Sequence, residues 1–153
     1  MKVLMVCLGN ICRSPMAQGI MEHMVREYDL DWQVDSAGTG SWHVGELPDA
    51  RAIRTCADRG IDITGQRARQ LKTEDFHNFD VVLAMDESNL SNIRALASQT
   101  NHPCHIEPIV SYAGLGNREV ADPYYDGRFT DVYDLLWEAC TKIVKEARSQ
   151  ATS

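Results

Sequence analysis

The first residues already restrict the fold, because a short apolar run stops abruptly at a turn. Lys2–Cys7 has the sequence Lys-Val-Leu-Met-Val-Cys and is followed at once by Gly9 and Asn10. A short run without polar alternation is typical of a strand buried on both faces of a parallel sheet. A helix follows, capped by Ser14 and opened by Pro15, and its apolar stripe consists of Met16, Ile20, Met21, Met24 and Val25.

The alternation of strand and helix continues along the chain. After a strand at Trp32–Ser36, Gly and Pro residues mark a long loop. The later predicted elements are a helix from about Asp49 to Asp58, a strand at Asp80–Met85, a helix to about Ala97 capped by Asp86 or Ser88, a strand at Cys104–Pro108 and a helix from about Thr130 to Ala147. This order predicts a three-layer α/β fold, a parallel sheet with helices on both faces, whose ligands bind beyond the carboxyl ends of the strands.

Length and composition agree with one folded domain. The chain has 153 residues, of which 44% are hydrophobic and 24% charged, close to the averages of soluble globular proteins. We therefore expect a single domain at residues 1–148, followed by a frayed tail at residues 149–153.

Charge and cysteine content disfavour several classes of partner and compartment. Lys and Arg total 15 and Asp and Glu 22, a net charge of -7, which disfavours binding to nucleic acid or an anionic membrane. The apolar run before Gly9 is too short for a signal sequence or a membrane span, so we expect a cytoplasmic protein. Five cysteines, an odd number spread over the chain, indicate a reducing compartment and at least one free thiol.

The segment between the first strand and its helix is suited to hold an oxyanion. Cys7 is separated from Arg13 by five residues, and Ser14 follows directly. Such a loop can curl so that its backbone N–H groups converge on one point, with Gly9 and Asn10 tolerating left-handed conformations. The helix N-terminus adds positive potential, and the Arg13 guanidinium can grip two phosphate oxygens. The predicted phosphate-binding residues are Leu8, Gly9, Asn10, Ile11, Cys12, Arg13 and Ser14.

Cys7 at the base of this loop is the candidate nucleophile. The positive surroundings favour its thiolate, and the Ser14 hydroxyl can donate a hydrogen bond to the sulfur. A thiolate in line with a bound phosphoryl group can form a thiophosphate intermediate without a metal. Expulsion of the alcohol then needs a general acid from another loop at the same sheet edge, and Asp122, held by Pro123, is the candidate.

Aromatic residues in two loops indicate the kind of leaving group. Trp42 and His43 lie in the long loop, and Tyr124 and Tyr125 follow Asp122. Together these four side chains can wall a cleft that accepts a flat aromatic group. The sequence therefore predicts a phosphotyrosine residue as the substrate, with a tyrosine-phosphorylated protein as the partner and inorganic phosphate as the product.

The segment Val6–Pro15 resembles the signature of the low-molecular-weight protein tyrosine phosphatases. The similarity covers nearly the whole chain, since further matching segments fall in the order and spacing of that family: Asp35–Thr39, Ala68–Gln70, Ala84–Asn89 and Asp122–Tyr124. The resemblance implies a four-stranded parallel sheet flanked by helices. It also implies roles for five residues, namely Cys7 as nucleophile, Arg13 for phosphate, Asp122 as acid then base, Asn10 as loop organiser and Ser14 as thiolate donor.

Several positions allow a second interpretation. Gln66 stands where many members of that family carry a histidine that hydrogen-bonds the loop asparagine. Cys12 is either a packing residue or a redox partner that traps oxidised Cys7 as a disulfide. Asp86 can simply cap a helix. Structural roles are predicted for three other residues, namely Cys56 and Cys140 in the core and Asp126 in a turn. His102, Cys104 and His105 lack the spacing of a zinc site, so neither a metal nor a cofactor is predicted.

Three functions other than tyrosine phosphatase activity are alternatives for this sequence. An arsenate reductase on this scaffold needs resolving cysteines in a later segment, but residues 72–101 contain none. A protein arginine phosphatase, a close relative, carries Thr where Ile11 stands. A phosphopeptide-binding module needs neither Cys7 nor Asp122. The quaternary state expected for the chain is a monomer or a weak homo-oligomer.

Overall fold

The computed structural model describes residues 1–152 and has the predicted alternation of strands and helices. Four strands occur within these residues: β1 Lys2–Cys7, β2 Gln33–Gly38, β3 Val81–Ala84 and β4 His105–Pro108. The helices over the same range are α1 Arg13–Glu27, α2 Ala50–Ala57, α3 Asp75–Asn78, α4 Glu87–Ala97, α5 Ile109–Tyr112, α6 Pro123–Asp126 and α7 Phe129–Thr152. Over the described residues, no helix combines the length and the apolar character that crossing a membrane requires.

The strands form one parallel sheet in the order β2-β1-β3-β4. The register sets Cys7 opposite Gly38, and Val6 opposite Ala84. Because all four strands are parallel, their carboxyl ends share one edge, and the loops that follow β1 and β3 meet there. The predicted four-stranded parallel α/β fold is confirmed.

The core has two halves, one on each face of the sheet. Side chains of β1 alternate between them: Val3, Met5 and Cys7 join the cluster under α1, α2 and α7. Leu4 and Val6 join the cluster under α3 and α4. All of these β1 side chains are buried, which explains why the strand is an unbroken apolar run rather than an alternating one. The sheet is the middle of three layers.

The helix ends differ from the sequence predictions at two places. Ser14 does not cap α1, because the helix begins at Arg13 after Cys12 and the Ser14 side chain turns toward the sheet edge instead. At the other end of the chain, α7 continues beyond the predicted Ala147 to Thr152. Residues 145–150 are Lys, Glu, Ala, Arg, Ser and Gln, most of them good helix formers, and neither Gly nor Pro interrupts them. Ser153 lies outside the described residues.

Short elements account for the remaining differences. β2 continues two residues beyond the predicted Ser36, since Gly38 pairs with Cys7 and donates its N–H to the Arg69 carbonyl at 2.9 Å. Three four-residue helices, α3, α5 and α6, were not predicted. Each is about one turn long, too short to show a helical period.

Candidate active site

Five residues connect β1 to α1 and form the turn that was predicted to hold an oxyanion. Asn10 adopts a left-handed backbone conformation with φ of 57°, as the curled loop requires. The loop is held against the end of β2, where Thr39 donates its N–H to the Cys7 carbonyl and Gly40 to the Leu8 carbonyl, both at 2.9 Å. A Cβ on Gly38 would lie 2.8 Å from the Leu8 carbonyl oxygen, so only glycine allows this approach.

The side chain of Asn10 holds the loop from behind. Its Nδ2 donates to the Ser14 Oγ at 2.8 Å and to the Ser36 Oγ at 3.0 Å, and its Oδ1 accepts from the Arg69 backbone N–H at 3.0 Å. Ser36 in turn donates to the Gln18 Oε1 at 2.7 Å. Asn10 is only 2% exposed, so these contacts take the place of water for a polar group that the fold has buried.

Gln66, the position that departs from the family pattern, also lies behind the loop. Its Nε2 donates to the Pro15 carbonyl at 3.0 Å, in the first turn of α1. The Asn10 amide is held instead by Ser14, Ser36 and the Arg69 backbone. The loop is therefore anchored through β2 and the segment at Arg69.

Cys7 and Ser14 form a buried pair at the base of the loop. The Cys7 Sγ lies 3.0 Å from the Ser14 Oγ. Because the Ser14 Oγ already accepts a hydrogen bond from Asn10, its own proton is available to the sulfur. Both side chains are close to the N-terminus of α1, whose free N–H groups favour a negative charge.

Arg13 is buried and charged, and three groups hold it in place. Its Nη1 donates to the Asp86 Oδ2 at 2.6 Å and to the Val120 carbonyl at 2.9 Å, while its Nη2 lies 3.7 Å from the Asp122 Oδ2. Burial opposes the charge, but Cys7, Asp86 and Asp122 outweigh it and raise the pKa of Arg13 above its ordinary value. The guanidinium therefore stays protonated, with one edge anchored and the other toward Cys7 and Asp122.

Asp86 caps a helix, as the sequence allowed, and also pairs with Arg13. One carboxylate oxygen caps α4 by accepting from the Asn89 N–H at 2.7 Å, and the other accepts from Arg13. Sequence reasoning missed the pairing with Arg13. The position carried a signal nevertheless, since a polar residue just beyond a buried parallel strand lies at the ligand-binding edge.

Asp122 lies in a more open part of the site. It caps the short helix α6, where its Oδ1 accepts from the Tyr124 N–H at 3.1 Å. About one third of its side chain is exposed, in contrast to the buried Arg13 beside it. The segment Asp122–Gly127 is named the acid segment below.

The predicted residues surround a cavity of about 370 Å³. Trp42 is 70% exposed and Tyr125 88% exposed, so the aromatic walls stand open at the mouth. Asn10 and Ser14 lie behind the loop and not on the cavity wall. The lining residues are Cys7, Leu8, Gly9, Ile11, Cys12, Arg13, Trp42, His43, Asp122, Tyr124 and Tyr125.

Cys12 lines the same cavity but differs from Cys7 in its surroundings. Burial raises the pKa of the Cys12 thiol well above its ordinary value, and the negative charge of Asp49 adds to the effect. Cys12 therefore stays a protonated thiol near neutral pH. Cys56 and Cys140 are fully buried in the core, as predicted.

The fold is a parallel α/β sheet with a curled turn at its carboxyl edge, a cysteine at the base of the turn and an aspartate across the cavity, an arrangement typical of a class of phosphatases. A family model described as low molecular weight phosphotyrosine protein phosphatase matches residues 2–153. The low molecular weight phosphotyrosine protein phosphatase of Schizosaccharomyces pombe is 44% identical over 150 residues, 94% of this chain and 95% of the relative. The chain belongs to the low molecular weight protein tyrosine phosphatase family. The predicted family and enzyme class are confirmed.

Solved structures agree with this result. YfkJ from Bacillus subtilis matches with a TM-score of 0.90 at 35% identity, covering 98% of this chain and 96% of that one. DARP, described as a Drosophila arginine phosphatase, matches with a TM-score of 0.89 at 38% identity, covering 96% of this chain and 98% of that one. The two structures extend the likeness over nearly the whole fold.

Proposed function

We propose that the protein hydrolyses phosphotyrosine in protein substrates through a cysteinyl-phosphate intermediate on Cys7. The observation that carries the proposal is the convergence of Cys7, Arg13 and Asp122 on one cavity whose mouth is walled by aromatic side chains. Positive charge for the phosphate comes from Arg13, the loop N–H groups and the N-terminus of α1, so the reaction needs no metal. No cofactor is required either.

In the first step the Cys7 thiolate attacks phosphorus in line with the leaving oxygen. The S–P bond forms as the P–O bond to the tyrosine ring breaks, and Arg13 holds two of the phosphoryl oxygens. Asp122, protonated, gives its proton to the departing phenolate. The Ser14 and Asn10 side chains hold the sulfur and the loop in position.

In the second step water hydrolyses the intermediate. Asp122, now a carboxylate, takes a proton from a water molecule as that water attacks phosphorus and the P–S bond breaks. The products are inorganic phosphate and the free Cys7 thiolate. One aspartate thus acts first as an acid and then as a base.

Cys12 is proposed as a redox partner of Cys7. When a peroxide oxidises the Cys7 thiolate to a sulfenic acid, the Cys12 thiol attacks that sulfur, forming a disulfide and releasing water. The raised pKa of Cys12 supports its role as the thiol that condenses with the sulfenic acid, since it keeps Cys12 protonated near neutral pH. All five cysteines, which lie within residues 1–152, are free thiols, as a reducing cytoplasmic location would require.

Phosphoarginine is a second candidate substrate. It is favoured by the 38% identity and nearly complete coverage shared with DARP, the Drosophila arginine phosphatase. Ile11 lines the cavity at the position where resemblance to the protein arginine phosphatases implies Thr. The apolar Ile11 and the exposed Tyr124 and Tyr125 favour an aromatic leaving group over a guanidinium.

The mechanism is tested with an aryl phosphate over a range of pH, in the presence of chelator and reductant. Cys7→Ser is expected to lower turnover by about 10⁴-fold or more, and Asp122→Ala by about 10²-fold or more. A phosphotyrosine peptide and a phosphoarginine peptide assayed in parallel separate the two substrates. Phosphate binding without turnover would favour a phosphopeptide-binding module. Thiol-dependent consumption of arsenate would favour an arsenate reductase.

The quaternary state is a separate proposal. We expect a monomer or a weak homo-oligomer, which light scattering over a series of protein concentrations would measure.

A further inference from the structure

Arg51 contacts the acid segment although it does not line the cavity. It lies in the first turn of α2, and its Nη2 donates to the Tyr124 carbonyl oxygen at 3.2 Å. Its guanidinium carbon also lies 5.5 Å from the centre of the Tyr124 ring and 4.7 Å from the centre of the Phe129 ring. Arg51 therefore contacts Tyr124 within the acid segment and Phe129 two residues after its end.

On its other side Arg51 is connected to the phosphate-binding loop. Its Nε and Nη2 donate to the two Asp49 carboxylate oxygens at 3.1 Å and 3.0 Å, in the bidentate geometry that makes such pairs well ordered. The Asp49 N–H donates to the Ile11 carbonyl at 2.8 Å. A continuous series of contacts therefore runs from the loop through Asp49 and Arg51 to Tyr124.

The series ends at the carboxyl group of Asp122. The Tyr124 N–H donates to the Asp122 Oδ1, while the Arg51 guanidinium holds the carbonyl oxygen of the same residue. The other hydrogen bonds of the acid segment are local, such as Gly127 N–H to the Pro123 carbonyl at 2.8 Å. Local bonds shape the turn, whereas its position relative to Cys7 depends on nonlocal contacts, namely the Arg51 hydrogen bond to Tyr124 and the 3.7 Å approach of Arg13 Nη2 to Asp122 Oδ2.

From these contacts we propose that Arg51 is a positioning residue that holds Asp122 at the leaving-group side of the cavity. The inference rests on the proposed role of Asp122 as general acid. Arg51 touches neither the phosphate site nor Arg13, so its loss should disturb proton transfer to the leaving group and spare phosphate binding. The effect of an Arg51 substitution should therefore depend on how much the leaving group needs a proton.

The test compares two substrates by kcat/KM, which reports the steps up to cleavage of the P–O bond. Phenyl phosphate has a poor leaving group, whereas 2,4-dinitrophenyl phosphate releases a far more acidic phenol that needs little protonation. Arg51→Ala is expected to lower kcat/KM by about 10-fold for the first and by less than about twofold for the second. Arg51→Lys, which keeps the charge but loses the planar bidentate contact, should lie between wild type and Arg51→Ala.

Arg54→Ala is the matched control, since Arg54 is exposed on the same helix and its removal changes the net charge equally. It should leave both substrates unchanged. Inhibition by inorganic phosphate should also be the same in wild type and Arg51→Ala. Equal losses for both substrates, or weakened phosphate inhibition, would show a merely structural role and overturn the inference.

A double-mutant cycle separates this inference from the function on which it rests. In an Asp122→Ala background, Arg51→Ala should add less than about a twofold loss with phenyl phosphate. If Asp122→Ala lowers kcat/KM equally for the two substrates, the proposed role of Asp122 as general acid is wrong. If the loss of kcat/KM is larger for phenyl phosphate in Asp122→Ala but equal for both substrates in Arg51→Ala, only the positioning role of Arg51 is wrong.

Discussion

The two sides of the cavity are built in opposite ways. On the phosphate side, Asn10 and Arg13 are each 2% exposed and Ser14 is fully buried, and Asn10 and Arg13 make hydrogen bonds to distant parts of the chain. On the leaving-group side, Asp122 is about one third exposed and Tyr125 almost fully so, and the hydrogen bonds of the acid segment are mostly local.

This difference follows what each side is proposed to bind. Every phosphoric monoester presents the same small, doubly charged group, and a fixed set of buried donors stabilises charge best when it needs no rearrangement. Leaving groups differ in size and shape between protein substrates, so an open wall of aromatic side chains suits them better. Substitutions on the phosphate side should therefore affect stability and activity together, and substitutions on the other side activity alone.

The largest effect is expected for Asn10→Ala. The change removes three buried hydrogen bonds and places Ala in a left-handed conformation, so we expect a loss of about 3 kcal/mol in unfolding free energy. Activity should fall about 100-fold, because Ser14 loses its orientation toward Cys7. Urea unfolding and aryl phosphate kinetics measure both.

Asp29→Ala is the control for Asn10→Ala. Asp29 also has a left-handed backbone, with φ of 55°, but it is exposed. It should therefore cost about 1 kcal/mol and leave the activity unchanged. Similar losses of stability in the two variants would mean that the Asn10 network contributes little.

Gly38→Ala should have the next largest effect. The new Cβ would meet the Leu8 carbonyl oxygen at 2.8 Å and the Asn10 nitrogen at 3.1 Å, both backbone atoms that cannot rotate away. We expect a loss of about 2 kcal/mol in unfolding free energy and weaker inhibition by inorganic phosphate. Gly65→Ala, where a Cβ has nothing within 4 Å, should be neutral or slightly stabilising. Unchanged phosphate inhibition in Gly38→Ala would contradict a loop held by close backbone contact.

Asp49→Asn tests the contact between Asp49 and Arg51, which connects the two sides, through the pH dependence of stability. Partial burial raises the pKa of the Asp49 carboxyl, but hydrogen bonds from the Arg51 side chain and backbone outweigh it and hold that pKa below its ordinary value. The carboxylate therefore stabilises the fold above its unfolded pKa of about 3.9, and this contribution disappears as the pH falls through the lower folded value.

Asn caps a helix as well as Asp does, so Asp49→Asn isolates the charge. Its melting temperature should be about 2–4 °C below that of wild type at pH 7, and the difference should be smaller at about pH 3, below the unfolded pKa. Thermal unfolding followed by circular dichroism at the two pH values measures this. A difference that persists undiminished at low pH would point to packing rather than charge.

Tyr125→Ala should change stability least. The ring is 88% exposed, so the unfolding free energy should change by less than about 0.5 kcal/mol. Loss of an aromatic contact with the substrate should nevertheless lower kcat/KM for phosphotyrosine peptides by about 3- to 10-fold. Tyr125→Phe, which keeps the ring, should retain wild-type kcat/KM. If Tyr125→Ala unfolds at lower denaturant, the acid segment is more tightly packed than its exposure indicates.

The sequence predicted the sheet and the curled turn after β1 well for a common reason. Both predictions depend on residues that are close together in the sequence. An apolar run marks each buried strand, and Gly9, Asn10 and Arg13 follow Cys7 within six positions. The helix α6 was missed because four residues show no helical period, although Asp122 itself was predicted. Ser14 was assigned both as a cap and as a partner of Cys7, and the geometry leaves it only the second contact.

The sequence by itself determined the residue types of the loop, the parallel α/β class and the aspartate across the cavity. The tertiary structure alone decided which distant groups support them: Asp86 for Arg13, the Arg69 backbone for Asn10, and Arg51 for the acid segment. These partners are 59 to 73 residues apart along the chain. No local pattern encodes such pairings, because they depend on the strand order β2-β1-β3-β4, which brings the ends of β1, β2 and β3 to one edge of the sheet.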